Sequence, residues 1–165
     1  MSASELASAI RAAKGAELGA EVVEETLECL REYETSAYWP YPDERAWGAK
    51  TFLELIEAVG EARLESACPI LGEILVKGHS VQQPAAARAF GEIGGLAAVG
   101  QLLRRLDEPD YWGLPTAAVL NALATIGDAS VADAIVEHLH EFGATLTHSA
   151  LCALTELGDR RAVPL

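Results

Sequence analysis

Basic residues are scarce in this chain. Its 165 residues hold twelve lysines and arginines against twenty-five aspartates and glutamates, a net charge of −13. That balance argues against nucleic acid as a ligand, because phosphate binding needs clustered cations that displace counterions. Long apolar runs are also missing: nothing approaches the ~18 uninterrupted apolar residues of a membrane span. Glu5, Arg11 and Lys14 stand where a signal peptide would carry its apolar core. Cysteine is limited to Cys29, Cys68 and Cys152, odd in number, far apart and without a CxxC pair. The expectation is a cytoplasmic protein with reduced, buried thiols. Half the residues are apolar, which excludes a disordered tail.

Signatures of catalysis are equally sparse. GEIGG (Gly91 to Gly95) lacks the lysine of a phosphate loop. His79 and His148 have no nucleophile at a telling sequence distance. The cluster EHLHE places Glu137, His138 and Glu141 on one side of a single helix, an incomplete set of metal ligands. No cofactor and no enzymatic activity are expected.

What the chain does contain is a repeat. Gly60, Gly94, Gly127 and Gly158 follow one another at intervals of 34, 33 and 31 residues. One residue before each stands Val59, Ile93, Ile126 or Leu157. Four before stand Ile56, Phe90, Leu123 and Leu154, and eight before stand Phe52, Ala86, Val119 and Ala150. These offsets share one helical face, and such a period signals stacked units. A second helix should follow each glycine. Ala67, Leu71, Ile74 and Leu75 mark one, Leu96, Val99, Leu102, Leu103 and Leu106 another, and Val131, Ile135, Leu139 and Phe142 a third. Each glycine is expected to end a helix in the left-handed conformation. Asp128 and Asp159 should then cap the helices that follow, a residue that Gly60-Glu61 and Gly94-Gly95 lack.

The segments AVLNALATIGDASVADAIVEHL and SALCALTELGDRRAVPL resemble HEAT-like repeats of the short phycobilisome-lyase type. AARAFGEIGGLAAVGQLLRRL and FLELIEAVGEARLESACPIL are looser copies, so the resemblance runs from about Ala46 to Leu165. It implies an all-α, right-handed α-α superhelix, an armadillo-like solenoid of about five helical hairpins. Their expected bounds are 1–34 (a degenerate first hairpin), 44–77, 84–106, 115–142 and 146–165, the last incomplete. Related deoxyhypusine hydroxylases carry His-Glu pairs ten and nine residues before such glycines. Here those positions read Lys50-Thr51, Pro84-Ala85, Ala117-Ala118 and His148-Ser149, which offers no iron site.

Binding is therefore the leading expectation: a scaffold or adaptor for a protein or peptide, with a basic segment suited to the acidic surface. The resemblance also implies an alternative, a subunit of a bilin lyase or related prosthetic-group enzyme. The acidity permits another, an immunity or antidote protein. Two regions are candidates for contact. Inter-unit loops should line one edge, bringing together Trp39 and Tyr41, His79, and Tyr111 and Trp112, since Tyr and Trp favour binding hot spots. The second helices, with Arg104 and Arg105 among their glutamates, form the other. At the C-terminal end, Leu146, Ala150, Leu154 and Leu157 are expected to lack cover, inviting self-association.

Overall fold

The computed structural model describes residues 1–13, 18–35, 45–79, 81–107 and 114–162. All regular structure among them is helical, as the sequence periodicity requires. The α-helices are α1 (Ala3–Ala13), α2 (Ala20–Thr35), α3 (Arg45–Glu61), α4 (Cys68–Lys77), α5 (Gln82–Ile93), α6 (Gly95–Leu106), α7 (Leu114–Ile126), α8 (Ala132–His138) and α9 (Ala144–Glu156). Single 3₁₀ turns occupy Glu65–Ala67, Ala129–Val131 and Arg160–Ala162. Among the described residues, no helix is long and apolar enough to cross a membrane.

The helices fall into two layers. In the first, α1 packs on α3, α3 on α5, α5 on α7 and α7 on α9. In the second, α2 packs on α4 and α4 on α6, whereas α6 and α8 are not packed closely. Contacts of α1 with α2, α4 with α5, α5 with α6, α6 with α7 and α8 with α9 join the layers. The apolar stripes meet between them. Phe52, Ile56, Val59, Phe90, Leu123 and Leu154 are all buried, as are Leu71, Ile74, Leu75, Leu102 and Ile135 from the second layer. Removing each large side chain from water contributes ~1.5–3 kcal/mol, which makes this seam the main source of stability.

The turns show why the units repeat, and they correct one part of the sequence alignment. Gly94, Gly127 and Gly158 have the positive φ expected of them, 70°, 74° and 73°, but Gly94, with ψ −166°, is not in the left-handed helical conformation. Gly60 lacks a positive φ and lies inside α3. The left-handed residue of that unit is Arg63, with φ 52°. Its amide donates to the Gly60 carbonyl at 2.8 Å, and that of Leu64 to Val59 at 3.1 Å. The Gly158 turn is built alike, Gly158 N–H bonding Thr155 at 3.0 Å and Asp159 N–H bonding Leu154 at 2.9 Å. Both are paired-bond helix ends in which two otherwise unmatched carbonyls gain donors. Arg63 is thus the counterpart of Gly158, and aligning on Gly60 sets its unit three residues out of register.

Gly60 has a different purpose, which Gly91 shares 31 residues later. A β-carbon on Gly60 would lie 2.8 Å from Ala89 Cα, and one on Gly91 3.3 Å from Ala122 Cα. Both glycines let the next first-layer helix approach backbone to backbone. As expected, Asp128 accepts from the Ser130 amide at 2.9 Å and Asp159 from the Arg161 amide at 2.8 Å. The turns before α4 and α6 have no side-chain cap. Arg161 also pairs with both Asp159 (2.6 Å) and Asp133 (2.8 Å), tying α8 to the turn after α9.

Three details depart from expectation. Leu96, placed in the apolar stripe by spacing, is 84 % exposed, because it opens α6 at the stripe's edge a turn before Val99. The helix expected through Phe142 ends at His138, with Leu139 and Phe142 half-buried beyond it. Ala150 and Leu154, expected to lack cover, are fully buried between α7, α9 and the final 3₁₀ turn, while Leu146 and Leu157 are half-buried.

Two predictions follow from these turns and contacts. Gly60→Ala should lower the urea midpoint despite alanine's better helix propensity, since overpacking costs ~1–3 kcal/mol against a gain of ~1. Gly91→Ala, with its looser contact, should be the more stable of the two variants. The second concerns Asp159, whose carboxyl the Arg161 side chain and amide hold down to about 2. A depressed carboxylate stabilises above its unfolded value and loses that contribution as pH falls through the folded one. Asp159→Asn should therefore be less stable than the parent at pH 7. The difference in thermal midpoint should close between about pH 4 and about pH 2.

Candidate functional site

Of the residues singled out by sequence, Trp39, Tyr41, Tyr111 and Trp112 lie outside the described residues. His79 follows the C-terminus of α4, and its side chain is exposed. Its backbone starts α5: the His79 amide donates to Gln82 Oε1 at 2.9 Å, and its carbonyl accepts from the Gln82 amide at 2.9 Å. Arg104 is exposed on α6. Arg105, expected beside it on the surface, is only 5 % exposed and is held by other interactions. Adjacent helical residues point about 100° apart, and here that turn carries Arg105 onto the buried side of α6 beside Leu102 and Leu106 while Arg104 faces solvent. Arg104 and Arg105 are thus not presented together.

The two layers treat their charges differently. Across the first layer, Arg11 Nε on α1 binds Glu61 Oε2 of α3 at 2.9 Å, with Glu57 3.9 Å away. Arg88 on α5 then reaches the same Glu57 at 3.1 Å. This ladder steps from helix to helix, and its Glu57–Arg88 rung spans 31 residues. The Glu61 hydrogen bond holds the Arg11 guanidinium above its ordinary value. Burial pushes the Glu92 carboxyl up, helped by Glu61 and Glu57 and opposed by Arg88 and Arg63. Each exposed pair is worth ~0–1 kcal/mol, so the ladder's main effect is to cancel charge locally.

In the second layer, cancellation on α2 is only partial. Glu21, Glu24, Glu28, Arg31 and Glu32 are its exposed charged residues, and spacings of three and four place them on one stripe. Thr26 and Leu30, both fully buried, face the other way. Glu25 is engaged by the N-terminal ammonium at 2.8 Å. Among the described residues Glu21, Glu24 and Glu28 have no ion-pair partner. Glu21 profits from the helix N-terminus. Glu28, by contrast, has Glu24, Glu25 and Glu32 as i±3 or i±4 neighbours and only Arg31 to offset them. Like charges at these spacings destabilise a helix. On α4 the exposed Glu73 and Lys77 pair with each other at 3.2 Å, in contrast to the glutamate stripe of α2.

One arrangement had little warning in the sequence. The thiol of Cys152, expected to be buried, is exposed on α9 with its sulfur 3.7 Å from His148 Nε2. Cys68 is buried and Cys29 half-buried, and burial pushes both thiols up, with Glu65 and Glu32 adding to it. Within the EHLHE cluster, His138 turns to Asp107 at 3.3 Å and His140 to Glu141 at 3.7 Å. No group of three or more potential metal ligands is assembled among the described residues. The Glu57–Arg88 rung and the Asp107–His138 contact could both have been foreseen from groups one repeat, 31 residues, apart, whereas Arg11–Glu61 spans 50 residues.

Removing one charge from the middle of the α2 stripe should stabilise the protein. Glu28→Gln is expected to raise the denaturation midpoint, at ~0.2–0.5 kcal/mol for each like-charge pair relieved. The gain should shrink in high salt, as screening weakens the repulsion. No protein-family model matches the chain, and a search of curated proteins finds no match either.

Proposed function

We propose that this protein is a non-enzymatic binding scaffold, a right-handed solenoid of HEAT-like hairpins whose second layer receives a basic segment of a protein or peptide. One observation carries the reading: among the described residues Glu21, Glu24 and Glu28 lie on one stripe of α2 without an ion-pair partner, whereas Glu57 and Glu61 of the first layer pair with arginines of neighbouring helices. Uncompensated like charges weaken the helix that bears them, and a cationic partner would relieve that repulsion while being steered toward the protein. The neighbouring α4 and α6 continue the same layer. Arg104 on α6 gives the surface a change of sign, which favours a partner with patterned charge over a uniformly basic one. The same stripe would serve an antidote protein that masks a basic toxin, so adaptor and antidote differ here only in the partner.

Titration with a lysine-rich helical peptide, followed by fluorescence anisotropy at low and high salt, tests this directly. The parent should bind with an affinity that falls as salt rises. The triple variant Glu21→Gln, Glu24→Gln, Glu28→Gln should bind about tenfold more weakly, a change of ~1.4 kcal/mol, while remaining folded. Unchanged affinity in the triple variant would remove α2 as the binding face.

A further inference from the structure

The exposed side of α9 presents a pair of soft donor atoms. His148 and Cys152 stand four residues apart, so successive turns of the helix place them side by side. Both are exposed, and the sulfur of Cys152 lies 3.7 Å from His148 Nε2. That separation has a chemical meaning. A zinc ion bonded to thiolate at ~2.3 Å and imidazole at ~2.0 Å, at the tetrahedral angle, holds the two donor atoms ~3.6 Å apart. The pair is therefore preset at chelating distance, with the ring nitrogen already turned toward the sulfur. Two ligands four apart on one helix are also how helical zinc sites begin.

One chain supplies half of such a site. Among the described residues no third ligand joins the pair, whereas a closed structural zinc site needs four. The surrounding face suits a second copy. α9 packs on α7, α8 and the final 3₁₀ turn, and Ala150, Ala153 and Leu154 are buried. Its exposed residues are Ala144, Thr145, His148, Cys152, Thr155 and Glu156. Most of these are small, and Glu156 is the helix's one acidic residue. In a chain of net charge −13, a face so nearly neutral lets two copies approach with little like-charge contact.

We propose that His148 and Cys152 form half of a zinc site, completed by the same pair of a second copy to give two thiolate and two imidazole ligands. The contact is isologous: one α9 faces its counterpart across a twofold axis that passes through the metal. On coordination each thiol gives its proton to solvent and its sulfur bonds the metal; no electron is transferred. The cation follows from the donors. Thiolate and imidazole in a tetrahedral set select zinc over magnesium or calcium, which take oxygen ligands. Cys29 and Cys68 do not compete, since one is half-buried and the other buried. The site belongs to the first layer and is independent of the glutamate stripe on α2.

Sedimentation of the tag-free chain, kept reduced with a phosphine, in chelator and then with zinc chloride at half a molar equivalent provides the test. The parent should be monomeric in chelator and dimeric with zinc, one ion per two chains. Cobalt(II) in place of zinc should give the intense visible bands of a tetrahedral thiolate site. Cys152→Ser and His148→Ala change exposed side chains, which a fold usually tolerates. Both should stay monomeric with zinc and lose the cobalt bands. His140→Ala, which removes an exposed histidine outside the pair, should behave as the parent. A parent that stays monomeric with zinc, a dimer that forms equally in chelator, or a dimer that survives both substitutions would overturn the proposal.

Discussion

Where α3 meets α5, Gly60 lies against Ala89, and 31 residues further on Gly91 lies against Ala122 where α5 meets α7. These backbone-level approaches set the spacing of the first layer, and the remaining features depend on that spacing. Helices this close can bury the large side chains Phe52 and Phe90 between the layers without leaving voids. They also bring Arg88 within reach of Glu57 on the outer face. A larger residue at either glycine would push the helices apart and disturb the seam and the ladder together.

Much of this architecture is written in the sequence because burial is periodic. Phe90, Leu123 and Leu154 recur at one offset from a glycine, and all three are buried where the spacing places them. Aspartates after Gly127 and Gly158 announce caps that do form. The misreading of Gly60 has a simple origin. Glycine serves two purposes in this chain, ending a helix and admitting a neighbour, and a one-dimensional alignment cannot separate them. Arg63 takes the left-handed position with a side chain that normally disfavours it, so no composition signal marked the turn. Leu96 was misplaced for a related reason: spacing gives a residue's angle around a helix but not whether a neighbour extends to its level.

Binding surfaces were harder to read than the core. The acidic character of α2 was visible, yet whether its charges are spent on partners within the chain depends on contacts between units, as Glu57 and Arg88 illustrate. Arg104 and Arg105 are adjacent in sequence and identical in chemistry, and the fold assigns one to solvent and the other to the interior. Cys152 shows the converse, an apolar-looking position on the open side of α9. Its two fellow thiols are made less reactive by burial, so any difference in reactivity among the three is a property of placement.

One helix bears more neighbours than the rest. α5 packs against α3, α4, α6 and α7, and its sequence is correspondingly lean: Ala85, Ala86, Ala87, Ala89 and Gly91 are all buried. A helix enclosed on four sides has little tolerance for added volume, whereas α2, with one side given to water, can change its polar residues freely. Evolutionary drift in this protein should therefore run fastest at the rim and slowest at its middle, leaving α5 as the slow-changing centre around which peripheral surfaces can be retuned for new partners.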